Sequence, residues 1–245
     1  MHVQPEPSGA PIADLQPDTA AVAATQLVAV PVPAPSALPV DGVVVAASPA
    51  PSRKRPRPGE RRVQILQTLA AMLEQPGAER ITTAALAGRL DVSEAALYRH
   101  FASKAQMFEG LIEFIESSVF TLVNQITERE SDGRVQAARI ATMLLQFCEK
   151  NPGMVRVMVG DALVFENERL IARMNQFFDR LESQLRMSLR SAADAAGAAT
   201  PTVQSQALAS ALTSFLVGRL QRYARSGFKR APTEQLDAIL ARLVG

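Results

Sequence analysis

From residue 60 to the C-terminus, apolar side chains return every three or four positions, whereas the first 52 residues show no such period. The pattern predicts an all-α chain. A first helix spans residues 60–74, with Ile65, Leu66, Leu69, Met72 and Leu73 on one stripe, and Gln75-Pro76-Gly77 ends it. A short helix follows, capped by Thr82 or Thr83 and striped by Leu86, Ala87 and Leu90. Asp91-Val92-Ser93 then breaks the chain, and Ser93 caps a restart through Ala95, Ala96 and Leu97. Ser103-Lys-Ala-Gln106 is a capping-box pattern that opens one long helix through Phe108, Leu111, Ile112, Ile115, Val119, Leu122 and Ile126. Met107 and Phe114 lie off that stripe by roughly 100° and 120°, so each needs a second neighbour. For Phe114 that neighbour is either another helix of the same body or a partner protein.

Farther along, Asp132-Gly133 opens a helix through Val135, Ile140, Met143, Leu144 and Phe147, which Asn151-Pro152-Gly153 stops. A short helix is expected over 154–159. A long one is expected over 167–190, with Leu170, Ile171, Met174, Phe177, Phe178, Leu181, Leu185 and Leu189 inward and Arg173, Arg180 and Arg186 among its polar positions. Residues 197–201 form a loop, and a last pair covers 202–224 and 233–244. In the first of these, Leu208, Leu212, Phe215, Leu216, Val217 and Leu220 occupy more than one stripe. Such a helix serves its own core and a second surface, which a twofold dimer would supply.

The two short helices around Asp91 form a helix-turn-helix pattern. Small residues at Ala84, Ala87 and Ala95 would allow the helices to approach, leaving Ser93, Glu94 and Ala95 at the end that enters a DNA major groove. Thr82 and Thr83 can hold backbone amides and donate to phosphate, while Tyr98, Arg99, His100 and Lys104 fall beside the phosphates. Upstream, Arg53, Lys54, Arg55, Arg57, Arg61 and Arg62 set six cations against the single anion Glu60. That run is suited to backbone phosphates on either side of the reading helix. A dimer of such modules reads half-sites about one duplex turn (roughly 34 Å) apart.

Composition narrows the picture. Twelve of the sixteen prolines precede residue 60, and residues 1–52 hold four acids and no Lys or Arg. They read as a low-complexity, polyproline-like tail. The apolar stretch 20–30 lacks a basic leader and runs into prolines, so neither a signal peptide nor a membrane span fits, and a cytoplasmic location is expected. The net charge of +2 excludes a general nucleic-acid coat, although setting the acidic tail aside leaves the folded part more basic. The single cysteine, Cys148, suits a packed thiol.

Catalysis is not expected. The chain has two histidines, His2 in the tail and His100 in the DNA-facing segment, and no His/Cys spacing for zinc or glycine-rich phosphate loop. Asp161, Glu166, Glu168 and Asp179 read as solvated helix faces. No cofactor is expected.

The run 81–116, with Val92-Ser-Glu-Ala-Ala-Leu-Tyr-Arg-His-Phe-Ala-Ser-Lys104, resembles the N-terminal DNA-binding domain of TetR-type regulators. The all-helical remainder suits their dimerising C-terminal domain. Three further stretches resemble the nucleoid-occlusion branch of that family: Met107-Phe-Glu-Gly-Leu-Ile-Glu-Phe-Ile-Glu116, Glu149-Lys-Asn-Pro-Gly-Met154, and Ala162-Leu-Val-Phe-Glu-Asn-Glu-Arg-Leu170 with the continuation 174–182. The proline-rich first 52 residues and the Ala-rich segment 191–202 depart from its pattern. Composition sets off a Pro/Ala-rich tail with a basic end over 1–58, and the resemblance implies a three-helix helix-turn-helix domain over 59–105 and a helical-bundle dimerisation domain over 106–245. It also implies a nucleoid-associated dimer on palindromic chromosomal sites that engages the division protein FtsZ through Phe114, Met143, Gln146, Lys150 and Asn151. An ordinary ligand-responsive TetR-type repressor, with a small-molecule cavity in the same body, is the competing expectation.

Overall fold

The computed structural model describes residues 59–75 and 81–245. The proline-rich tail, its basic end from Arg53 to Arg57 and the Pro76-Gly77 stop lie outside the described residues. Within them the chain is helical, and no strand occurs among the described residues.

The headpiece is built from α1 (Glu60–Leu73), α2 (Thr83–Leu90) and α3 (Glu94–Tyr98). Ile65, Leu66, Leu69 and Leu73 of α1 close on Leu86, Ala87 and Leu97, all buried. Ala87 alone of the three small residues serves this packing, because Ala84 and Ala95 face solvent. Asp91 ends α2 in the left-handed region at φ 53°, which turns the chain sharply enough for α3 to start three residues later.

The body consists of α4 (Lys104–Arg129), α5 (Gly133–Lys150), α6 (Pro152–Met158), a 3-10 turn (Asp161–Leu163), α7 (Glu168–Ala195), α8 (Pro201–Arg225) and α9 (Leu236–Leu243). α7 and α8 form the most extensive pairing, α5 packs on α7, and α4 lies across both α5 and α7. Side-chain caps mark the starts: Ser103 accepts from Gln106 N, Asp132 from Arg134 N and Val135 N, and Asn167 from Arg169 N.

Several expected faces are rotated. Val135 is exposed, and the buried stripe of α5 is Ala137, Ile140, Ala141, Leu144, Leu145 and Cys148. Met107 is completely buried, because α4 is covered by α1 and α6 as well as by α5 and α7. Asn151-Pro152 does more than stop α5: proline at the first position starts α6 at once, where its missing N–H costs nothing. Pro201 opens α8 in the same way, one residue before the expected start. The last helix begins only at Leu236, since Gln235 has φ 55°.

Two glycines set the closest approaches. A Cβ on Gly153 would lie 2.0 Å from the Ala70 carbonyl oxygen, so only glycine lets α6 touch α1. At the far end of the body, a Cβ on Gly133 would lie 1.9 Å from the Ser188 carbonyl oxygen, which seats the start of α5 on α7. Next to Gly153, burial pushes the Glu74 carboxyl above its ordinary range, and a hydrogen bond from the Gly153 N–H opposes that rise.

Candidate nucleic-acid interface and partner surface

The DNA-reading end is assembled by local caps. Thr82 Oγ1 accepts from Ala85 N at 3.1 Å and Ser93 Oγ from Ala96 N at 3.3 Å, so both hydroxyls hold helix starts. Thr83 Oγ1 donates to Glu94 Oε2 at 2.6 Å, pinning the start of α2 to the start of α3. The Thr83 hydroxyl proton is therefore committed within the protein. Ser93, Glu94, Ala95, Tyr98, Arg99 and His100 are exposed on one continuous stretch, and Tyr98 retains 46 % exposure despite its size.

Three cations are engaged within the protein. Lys104 Nζ pairs with Glu166 Oε1 at 2.5 Å, and the Glu166 side chain is only 10 % exposed. Glu166 is thus part of the fold rather than a solvated face, and Lys104 reaches outward with its charge already partnered. Arg61 Nη1 donates to Gln64 Oε1 at 2.7 Å on its own helix. Arg62, which the sequence places only within the basic run, stacks its guanidinium 4.2 Å above the Phe101 ring and donates to the His100 carbonyl at 3.2 Å. It ties the beginning of α1 to the end of the reading segment. Nothing in the local pattern distinguishes Arg62 from Arg61, because its partner carbonyl is 38 residues away.

The second candidate surface combines α4 and α5. Met143, Gln146 and Lys150 recur at helical spacing along α5, with Gln146 and Lys150 exposed and Met143 only partly buried against the core. Phe114, on α4, is likewise partly buried against the core, so both of its open alternatives survive in part. Asn151 does not join the exposed set. It is buried at 8 % exposure, and its side-chain amide donates to the Phe147 carbonyl at 2.7 Å, capping the end of α5.

Ion pairs join α4 to the start of α7. After Lys104–Glu166, Glu109 pairs with Arg169 at 2.5 Å, and Glu116 takes both Nε and Nη2 of Arg173 at 3.0 and 2.6 Å. The hydrogen bonding to Glu116 holds the Arg173 pKa above even its usual high value. Exposed apolar side chains lie at Met187 on α7 and at Val203 and Leu208 on α8, with Phe215 half-buried beneath the Arg219 guanidinium. This is the second face expected of α8.

Among the described residues, no group of three or more His, Cys, Asp or Glu is placed to hold a metal ion, and no helix is long and apolar enough to cross a membrane. Cys148 is fully buried, its thiol donating to Met158 Sδ at 3.6 Å.

Residues 65–111 match the family model described as bacterial regulatory proteins of the tetR family, and residues 131–244 match the tetracyclin repressor-like C-terminal domain. The nucleoid occlusion factor SlmA of Photobacterium profundum is 51% identical over 178 residues, covering 72% of this chain and 90% of the relative. That of Aliivibrio fischeri (strain MJ11) is 51% identical over 189 residues, covering 77% and 96%. Among solved structures, FadR from Bacillus subtilis in complex with stearoyl-CoA aligns with a TM-score of 0.60 at 12% identity, covering 74% of this chain and 97% of that one. The TetR family regulator PfmR from Thermus thermophilus aligns at 0.58 and 20% identity, covering 75% and 95%. Those two share the fold alone. Half the aligned positions are identical across nearly the whole length of the SlmA relatives, which decides against the ligand-responsive repressor reading and against an enzyme: the chain belongs to the SlmA family of nucleoid occlusion factors, DNA-binding regulators of the TetR type.

Proposed function

We propose that this chain acts as a homodimer that binds palindromic chromosomal sites through Arg61, Thr82, Thr83, Ser93, Glu94, Ala95, Tyr98, Arg99, His100 and Lys104. Once on DNA, it engages FtsZ and prevents ring assembly over the nucleoid. The observation that carries the reading is that the fold leaves a second surface outside its core. Phe114 and Met143 pack against the core yet are only partly buried, and the exposed Lys150 at the end of the same α5 stripe adds a cation. An apolar strip ending in a positive charge is suited to an acidic, partly apolar peptide: charge speeds the encounter and burial slows release. Asn151 supports this surface through its side-chain amide, which bonds the Phe147 carbonyl and holds the end of α5 at Lys150.

Purified protein is tested for retention of FtsZ with and without DNA fragments, at several salt concentrations. The expected result is a DNA-dependent complex that weakens as salt rises. Phe114→Ala and Lys150→Glu should keep the melting midpoint and DNA affinity near wild type while weakening FtsZ retention. Retention unchanged in both variants refutes the α4–α5 surface. Unfolding of Phe114→Ala together with unchanged retention by Lys150→Glu assigns Phe114 to the core instead.

A further inference from the structure

The end of the body that faces α1 contains a cation without a counter-ion. Arg156, on α6, is 9% exposed, its Nε is fully enclosed with no hydrogen-bond partner, and no carboxylate of a described residue pairs with it. Among the described residues it lies against the Phe228 ring, 5.2 Å from the guanidinium carbon. A ring face attracts the charge but satisfies none of the five N–H donors. Buried charges in proteins are otherwise paired, because removing an ion from water costs several kcal/mol.

The surroundings are built to hold that arrangement. Phe228 sits at φ 63°, a left-handed conformation that a bulky aromatic residue adopts only when its neighbours enforce it. Tyr223 packs edge-on against it with ring centroids 5.1 Å apart, and the Tyr223 hydroxyl donates to the Glu149 carbonyl at 3.3 Å. Ser226 fixes the loop: its hydroxyl donates to the Tyr223 carbonyl at 2.8 Å and accepts from Lys229 N and Arg230 N at 3.1 and 2.9 Å. Lys229 and Arg230, exposed, directly follow Phe228 in this loop, and Arg230 shares its charge with Glu234. Three acids lie in this region: Glu74, close enough to act on Tyr223, and two that are bonded to other groups. Glu149 Oε2 accepts from Thr233 Oγ1 at 2.6 Å, and Glu234 lies 3.7 Å from Arg230.

We infer that Arg156, backed by Phe228 and flanked by Lys229 and Arg230, is the anchor of an anion-binding site that takes a single oxyanion group, a carboxylate or a phosphate. The planar guanidinium offers a fork that matches either group bidentately. The aromatic wall fixes its plane, and the basic loop supplies the field that draws the anion in. The inference does not depend on FtsZ being the partner of the Phe114 strip.

The test uses the full-length protein labelled with 15N-arginine and titrated with sodium phosphate or sodium acetate, each at constant ionic strength balanced by sodium chloride. One arginine Nε resonance, identified by its loss in Arg156→Lys, should shift saturably, and the melting midpoint should rise in parallel. In Arg156→Lys the apparent affinity should fall about tenfold, since the ammonium lacks the fork. Saturation by acetate alone identifies a carboxylate, such as one carried by a bound peptide, as the natural ligand. Saturation by phosphate alone, or by both, identifies a free or esterified phosphate. With chloride as the only added anion, Arg156→Met should melt at or above wild type, because it removes an uncompensated charge. A wild-type resonance that moves no more with phosphate or acetate than with chloride overturns the site whatever the variants do. So does an Arg156→Met protein that responds to the anions as wild type does.

Discussion

Replacing Gly153 with alanine tests how tightly the headpiece is clamped to the body. The added Cβ would stand 2.0 Å from the Ala70 carbonyl oxygen and 2.9 Å from its carbon. Carbon and carbonyl oxygen settle no closer than about 3.3 Å, so α1 and α6 must separate locally by roughly 1.3 Å. The far side of α1 cannot absorb this, because Leu69 and Leu73 are each 1% exposed and already packed. Overfilling a close-packed seam costs about 1–3 kcal/mol. In a chain of this size each kcal/mol lowers the melting midpoint by about 2–4 °C, so the expected loss is roughly 2–12 °C. Thermal melts followed by far-UV circular dichroism measure it, with Gly88→Ala as the control. A Cβ at Gly88 meets nothing within 4 Å, and alanine in a helix is favoured by about 0.5–1 kcal/mol. If Gly153→Ala melts with the wild type or above it, the α1–α6 seam is not close-packed and the argument from it fails.

Arg99→Ala should flatten the dependence of log affinity for DNA on log salt by about one unit while sedimentation still reports the same oligomer, and an unchanged slope removes Arg99 from the phosphate contacts. Tyr98→Ala should weaken DNA binding with the same oligomer retained. Burial, assisted by the Glu149 carboxylate, raises the Tyr223 pKa above its ordinary value of 10.0. The folded state therefore holds that proton more tightly than the unfolded one, and the associated stability is complete below the unfolded value and lost as pH rises through the folded one. Denaturant midpoints measured up to about pH 11 should fall more steeply for wild type than for Tyr223→Phe, and parallel curves would contradict the assignment. Burial also pushes the Cys148 thiol far above the usual range, so a thiol reagent should modify it only after denaturant is added, at a rate limited by unfolding.

Most helix starts were readable because a cap is a local event: Ser93, Ser103, Asp132 and Asn167 each bond to an amide two or three residues away. Rotation about the helix axis was harder to read. Val135 and Ala137 differ by only two positions, and the larger side chain faces solvent because the backbone of Gly133 touches α7. Periodicity identified Met107 and Phe114 as off-stripe together, yet α1 and α6 cover the first far more fully than the second. At the candidate DNA-reading end, the exposure of Ser93, Glu94, Ala95, Tyr98, Arg99 and His100 around the buried Leu97 followed from the local pattern. The pairing of Lys104 with Glu166 did not, since it joins residues 62 apart along the chain, as 166 − 104 = 62. Asn151 shows the same limit: an amide at a helix end reads equally well as a ligand contact or a cap, and only the carbonyl of Phe147 separates the two.

The three carboxylate–cation rungs between α4 and the start of α7 have a mechanical consequence. One rail of this ladder emerges directly from the DNA-reading segment. The other continues into the helix pair whose uncovered apolar side chains suit a second protomer. A reading head that swings together with α4 would shear every rung at once, so the pair of heads in a dimer should act as a rigid caliper rather than two hands on flexible wrists. Operators whose half-site spacing departs by even one base pair should be rejected sharply at low salt and tolerated better as added salt softens the rungs.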